Sequence, residues 1–162
     1  MSKKLIAYFS ASGTTASKAK ALAKAAEADI VEIKPVKPYS EADLNWRNPL
    51  SRCNREKIKK TKPEIVKPDI DMSQYDVIFV GYPIWYYREP LIVDSFLEAY
   101  DFTGKTVVLF ATSGGSDFGK TLDKISADYP DINFIEGKVL NGSASNESLK
   151  AFADSIDSIL QF

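Results

Sequence analysis

Three stretches of the chain are almost uninterrupted apolar runs: Leu5 to Phe9, Val77 to Gly81 and Thr106 to Ala111. Continuous rather than alternating hydrophobicity predicts strands covered on both faces, as in a parallel sheet. Two weaker runs, Ile30 to Ile33 and Asn133 to Leu140, carry polar residues, and the second is interrupted by Gly137. That mixture suits the edges of the sheet. Between the runs, apolar residues recur at helical spacing: Ala19, Leu22, Ala23 and Ala26; Ile92, Val93, Phe96 and Tyr100, with Pro90 in the first turn; Leu122, Ile125 and Tyr129; and, after Ser145, Leu149, Phe152, Ala153, Ile156, Ile159 and Leu160. Strands alternating with helices imply an α/β, three-layer, doubly wound fold with right-handed crossovers. Putting the two weak strands at the edges is met by a five-stranded parallel sheet in the order 2-1-3-4-5. The expectation is one domain spanning residues 1–162.

Between Lys34 and Tyr75 the pattern fades. Ser40 to Asp43 reads as the cap of a helix running through Leu44 until Pro49 interrupts it. The structure and role of residues 36–72 stay open beyond a mostly surface segment with some helix. Its second half is basic, with Arg52, Arg55, Lys57, Lys59, Lys60, Lys62 and Lys67 against Glu56 and Glu64. This reads as a solvated face, or more sharply as a docking patch for an acidic protein or a nucleotide phosphate.

Composition narrows the chemistry. With 21 basic and 22 acidic residues there is no global attraction to nucleic acid or to an anionic membrane. One cysteine, Cys53, two methionines and no histidine exclude an internal disulfide, a His-based triad and a zinc site. No apolar stretch approaches the roughly 20 residues of a membrane span, and Met1 to Lys4 leads straight into a strand, so a cytoplasmic protein is expected.

In the order 2-1-3-4-5, ligands collect at the carboxyl ends of strands 1 and 3, where the winding reverses. The first loop there, Ser10 Ala11 Ser12 Gly13 Thr14 Thr15, joins a strand to a helix and offers hydroxyls beside N–H groups, as a phosphate cradle does. The second, from Tyr82 to Pro90, concentrates aromatic rings. The third, Thr112 to Gly119, is glycine-rich. A phosphorylated, flat, aromatic cofactor would use all three. Gly114 to Thr121 also satisfies the Walker A pattern. Yet no apolar strand ends in the aspartate that holds magnesium in such enzymes, and too few residues follow for their remaining strands.

These loops resemble those of the flavodoxin family, whose phosphate loop reads Thr/Ser, any residue, Thr/Ser, Gly, any residue, Thr. Ser10, Ser12, Gly13 and Thr15 fill it. The likeness is closer to a branch with Pro-Ile-Trp-aromatic and Ser-Gly-Gly-Ser loops, here Pro83 Ile84 Trp85 Tyr86 and Ser113 to Ser116. It implies non-covalent FMN, with Ser10, Ser12, Gly13, Thr14 and Thr15 on the phosphate and Pro83, Ile84, Trp85, Tyr86, Ser113, Gly114 and Gly115 around the ring. Relatives often carry a small residue after the paired aromatics, where this chain has Tyr87, Arg88 and Glu89. Arg88 reads either as a group reaching the flavin or as a surface guanidinium paired with Glu89. The implied function is electron transfer to a redox partner protein or a small-molecule acceptor. The alternative is an NAD(P)H-dependent flavin oxidoreductase acting on quinones or similar acceptors.

Overall fold

A computed structural model describes residues 3–11, 13–45, 47–85, 89–112, 118, 121–140 and 145–160. The central sheet contains β1 (Lys4–Tyr8), β2 (Asp29–Glu32), β5 (Val77–Pro83), β6 (Thr106–Thr112) and β7 (Asn133–Val139), all parallel, in the order β2-β1-β5-β6-β7. Counting only these five strands, that is 2-1-3-4-5, with the two weakly apolar strands at the edges. A separate two-stranded antiparallel ribbon, β3 (Lys34–Pro35) with β4 (Ile65–Val66), has no counterpart in the sequence pattern. Two-residue strands are too short to show any periodicity.

The twofold period of the strands sorts their side chains into two cores. Leu5, Ala7, Phe9, Ile78, Val80, Tyr82, Val107 and Leu109 face one layer, together with Ile92, Val93 and Phe96 of α3 (Leu91–Ala99) and Ile125 of α4 (Thr121–Asp128). Ile6, Tyr8, Val77, Phe79, Val108 and Phe110 face the other, with Ala19 and Leu22 of α1 (Thr14–Ala26) and Leu149, Phe152 and Ile156 of α5 (Asn146–Leu160). Burial on both faces is why the central strands read as unbroken apolar runs. Ser145 caps α5, its Oγ accepting from the Ser148 amide at 3.1 Å.

Three local expectations change. The Ser40 and Asp43 side chains do exchange capping hydrogen bonds with each other's amides, at 3.1 and 3.0 Å, but they close a turn and no helix follows. The helix of this region is α2 (Arg52–Lys59), which starts after Pro49, where the ring no longer obstructs it. Pro90 stands at the N-cap of α3, one position before its first turn.

Gly137 does not break its strand. It lies in β7 where the pairing with β6 shifts register, Glu136 facing Leu109 and Val139 facing Ala111, so that β7 carries the extra residue. A Cβ there would stand 2.3 Å from the Leu109 carbonyl oxygen and 2.8 Å from the Phe152 ring. Backbone cannot yield as a side-chain tip can. Gly137→Ala is therefore expected to lower stability by about 1–3 kcal/mol with little change in the denaturant slope, measured by urea unfolding. A loss below about 0.5 kcal/mol, the ordinary range of surface changes, would show that the close approach is not a constraint.

Candidate functional site

Three chain segments leave the sheet side by side. β1 and β5 are paired through Tyr8 and Gly81, and the ladder continues in the Phe9 amide donating to the Gly81 carbonyl at 2.9 Å. β5 and β6 end together at Pro83 and Thr112, where the Ile84 amide donates to the Thr112 carbonyl at 2.9 Å. The segments after Phe9, Pro83 and Thr112 thus start within one hydrogen-bond ladder of each other. This is the place where the winding reverses.

At the β1 exit, Gly13 is the N-cap of α1 with φ 92°, a left-handed conformation that strains any residue bearing a Cβ. The Ser10 Oγ accepts from the Gly13 amide at 3.0 Å, which folds the loop back over the head of the helix. Among the described residues, nothing lies within 4 Å of where a Gly13 Cβ would stand. Ser10 is half-buried, while Gly13 and Thr14 are exposed at this opening. Thr15 is different: it is only 2% exposed, and its hydroxyl shares a 2.7 Å hydrogen bond with that of Thr112. This bond ties the head of α1 across β5 to the end of β6.

An aromatic wall stands at the exits of β1 and β5. Phe9, Tyr39 and Trp85 meet edge to face in a closed triangle, with ring centroids 5.6 Å (Phe9–Tyr39), 5.7 Å (Phe9–Trp85) and 5.5 Å (Tyr39–Trp85) apart. Such contacts each contribute about 0.5–1.5 kcal/mol beyond area burial. Tyr39 comes from the segment between β3 and β4, whose ribbon closes the base of the excursion. Its ring is held from behind by Arg52 of α2, whose guanidinium carbon lies 3.9 Å from the ring centroid. Arg52 also donates from Nη1 to the Lys37 carbonyl at 2.6 Å and pairs with Glu56 at 3.5 Å. The Tyr39 phenol donates to the Glu56 carboxylate. Burial first, then this bond to Glu56, holds the phenol well above the usual tyrosine range. Arg52 is therefore not part of a solvated basic face.

Trp85 is half-buried and closes one end of a cleft of about 780 Å³ between α2, α3 and α4. Cys53 and Glu56 line it from α2, and Pro90, Leu91 and Asp94 from the start of α3. Glu89 also lines it and is 2% exposed, so its carboxylate lies in the interior. Deeper along the cleft the Tyr129 phenol donates to Asp94 at 3.1 Å and to Glu98, which in turn pairs with Lys62 at 2.7 Å. At the head of α4 the Thr121 hydroxyl donates to the Phe118 carbonyl at 2.6 Å. In a Walker loop the corresponding hydroxyl binds magnesium, and here it is turned back onto the protein.

Of the residues expected at the site, Ser10, Gly13, Thr14, Thr15, Pro83, Ile84 and Trp85 lie at the exits of β1 and β5. Ser12, Tyr86, Ser113, Gly114 and Gly115 lie outside the described residues, as do Tyr87, Arg88 and Lys120. Tyr39, Arg52 and Glu56 were not anticipated. The only sequence signal for them is the i,i+4 spacing of Arg52 and Glu56.

A family profile for flavodoxins matches residues 3–156, and the chain belongs to that family. A candidate flavoprotein of Bacteroides eggerthii is 43% identical over 97% of this chain and 99% of its own, with a TM-score of 0.91. Another from Bacteroides uniformis is 42% identical over 94% of this chain and 98% of its own, with a TM-score of 0.88. A flavoprotein of Lactobacillus acidophilus solved in complex with FMN shares the fold, with 23% identity over 86% of this chain and 93% of its own and a TM-score of 0.69. None of the curated proteins compared matches the chain.

Two outcomes follow for the wall. In a Trp46→Phe background, Arg52→Ala should shift Trp85 emission to the red and cost about 2 kcal/mol or more, because the Glu56 carboxylate loses its cation. Arg52→Lys should restore only part of both, and an unmoved emission spectrum in Arg52→Ala would break the link between α2 and Trp85. The raised Tyr39 value means that the folded state prefers the protonated phenol. That stability is fully present below the unfolded tyrosine value of about 10 and is lost as pH rises toward and through the folded value. Alkaline unfolding should therefore be less steep in Tyr39→Phe than in the wild type.

Proposed function

We propose that this protein binds FMN non-covalently and serves in electron transfer. The observation that carries the reading is the convergence, at one end of the sheet, of an open helix head made of hydroxyls and amides with an aromatic wall ending in Trp85. The donor set fits the group. Neutral N–H and O–H donors at the start of α1 suit a phosphate monoester, and the open space at Gly13 lets an anion approach the backbone. The indole of Trp85 suits a flat heteroaromatic ring. The candidate flavoproteins of Bacteroides, at 43% and 42% identity, support the same reading.

In this reading Ser10, Ser12, Gly13 and Thr14 hold the phosphate. Thr15, whose hydroxyl is engaged with Thr112, serves by fixing α1 against β6. Pro83, Ile84, Trp85, Tyr86, Ser113, Gly114 and Gly115 surround the ring. Bound FMN supplies reversible uptake of electrons, and the polypeptide fixes its orientation and surroundings. No histidine is present to relay protons, which suits a carrier better than an acid–base enzyme. A lone, buried cysteine suits a cytoplasmic setting. Among the described residues, no helix is long and apolar enough to cross a membrane.

A second reading rests on the cleft of about 780 Å³ beside Trp85, which lies within the size range of small-molecule sites. It is a route by which NAD(P)H or a quinone could approach the flavin, and it supports an oxidoreductase. Steady oxidation of NAD(P)H with a quinone favours that reading, whereas reduction only through a partner protein favours the carrier.

The purified protein, or its flavin-free form after addition of FMN, should show the visible absorption of bound flavin, and denaturation should release all of it. Gly13→Val should weaken FMN binding roughly 10- to 100-fold, from about 1–3 kcal/mol of backbone strain and a Cβ in the cradle. Retention of full affinity in Gly13→Val, or no uptake of FMN by the wild type, would overturn the assignment.

A further inference from the structure

We propose that the outer face of α2 docks an acidic protein. The inference rests on the electron-carrier reading for its purpose, though not for its evidence. Charge is unevenly distributed along the chain: residues 52–67 hold seven basic and two acidic residues, while the whole chain has 21 and 22. α2 then divides those charges by face. Arg52 and Glu56 turn inward onto Tyr39. Arg55 and Lys59 are left exposed on the outer side, while Lys57 and Lys60, also exposed, line the cleft.

The two most exposed large apolar side chains among the described residues belong to the same stretch of chain. Leu50, just before α2, is 77% exposed, and Ile58 within it is 73% exposed. Single exposed apolar residues are ordinary. Two of them in one stretch with these cations give the composition of a contact surface, in which apolar anchors accompany charged residues. A cationic rim selects a partner of opposite charge and speeds the encounter.

Position adds a further argument. The inward side of α2 bears on Tyr39, which bears on Trp85, so a protein seated on the outer side lies one helix away from the proposed flavin wall. An acidic protein fits this surface better than nucleic acid or an anionic bilayer. The basic excess is confined to residues 52–67 of a chain that carries 21 basic and 22 acidic residues in all, so a partner with a bounded acidic patch matches it better than a continuous polyanion.

The test uses the full chain, with and without added FMN, and two redox proteins of opposite charge as probes: an acidic plant-type ferredoxin and a basic cytochrome c. Ferredoxin binding, followed by calorimetry or thermophoresis, should weaken about tenfold or more from low to physiological ionic strength, and cytochrome c should bind weakly or not at all. The triple variant Lys57→Glu, Lys59→Glu, Lys60→Glu should lose about tenfold or more in ferredoxin affinity and gain affinity for cytochrome c. Ile58→Ser should weaken ferredoxin severalfold at every salt concentration with an unchanged salt slope. No ferredoxin binding at low salt, or binding that the triple variant leaves intact, overturns the proposal. So does equal or tighter binding of duplex DNA or of phosphatidylserine vesicles that the triple variant abolishes. Because binding is read without electron transfer, failure of FMN uptake and failure of docking are separate results.

Discussion

Parallel pairing of β1 with β5, strands far apart in the sequence, governs everything built above it. Their ladder fixes Phe9 beside Gly81, and the next ladder fixes Pro83 beside Thr112. Three loops of unrelated composition therefore begin at the ends of three adjacent strands. Each supplies what the others lack: hydroxyls and amides at the head of α1, aromatic surface after β5, and a glycine-rich stretch after β6. The Thr15–Thr112 hydrogen bond repeats the constraint from the helix side, locking α1 to the end of β6. Neither partner is exposed, so this bond is protected from competition with water.

The second level of organisation is the excursion between β3 and β4. It contains one short helix and no extended periodicity, yet it supplies the ring that completes the aromatic triangle. Arg52 is the link that makes this possible. One planar guanidinium stacks on Tyr39, binds the carbonyl of Lys37 and pairs with Glu56, whose carboxylate receives the Tyr39 hydroxyl. Each partner satisfies another, which is the condition under which a largely buried charged network is tolerated. Lysine could supply the charge but not the flat, forked contact.

What could be read from the sequence depended on the range of the interaction. β1, β5 and β6 announced themselves because burial on both faces writes itself into consecutive residues. The edge positions of β2 and β7 followed from their polar admixture, and the strand order from those edges. The turn from β1 into α1 and the place of Trp85 after β5 were visible because a strand-to-helix turn and an aromatic run directly after a buried strand are local patterns. Thr15 was legible as part of that turn but not as the partner of Thr112, 97 residues away. Ser40 and Asp43 do make the capping bonds their spacing suggests, but Arg47 to Leu50 form turns and bends rather than a helix. Tyr39, Arg52 and Glu56 stayed hidden because their meeting depends on how the excursion folds back, which no window of sequence contains.

The central claim is that one end of the sheet recognises both the phosphate and the ring of a single cofactor. Titration of the flavin-free protein with FMN and, in parallel, with riboflavin, followed by quenching of flavin and Trp85 emission in a Trp46→Phe background, separates the two contributions. The account predicts that both ligands quench Trp85 and that FMN binds at least about 100-fold more tightly, since charge-assisted bonds from the head of α1 contribute about 1.5–3 kcal/mol each. Equal affinities would contradict it, because the loop from Ser10 to Thr15 would then have no role in holding the cofactor.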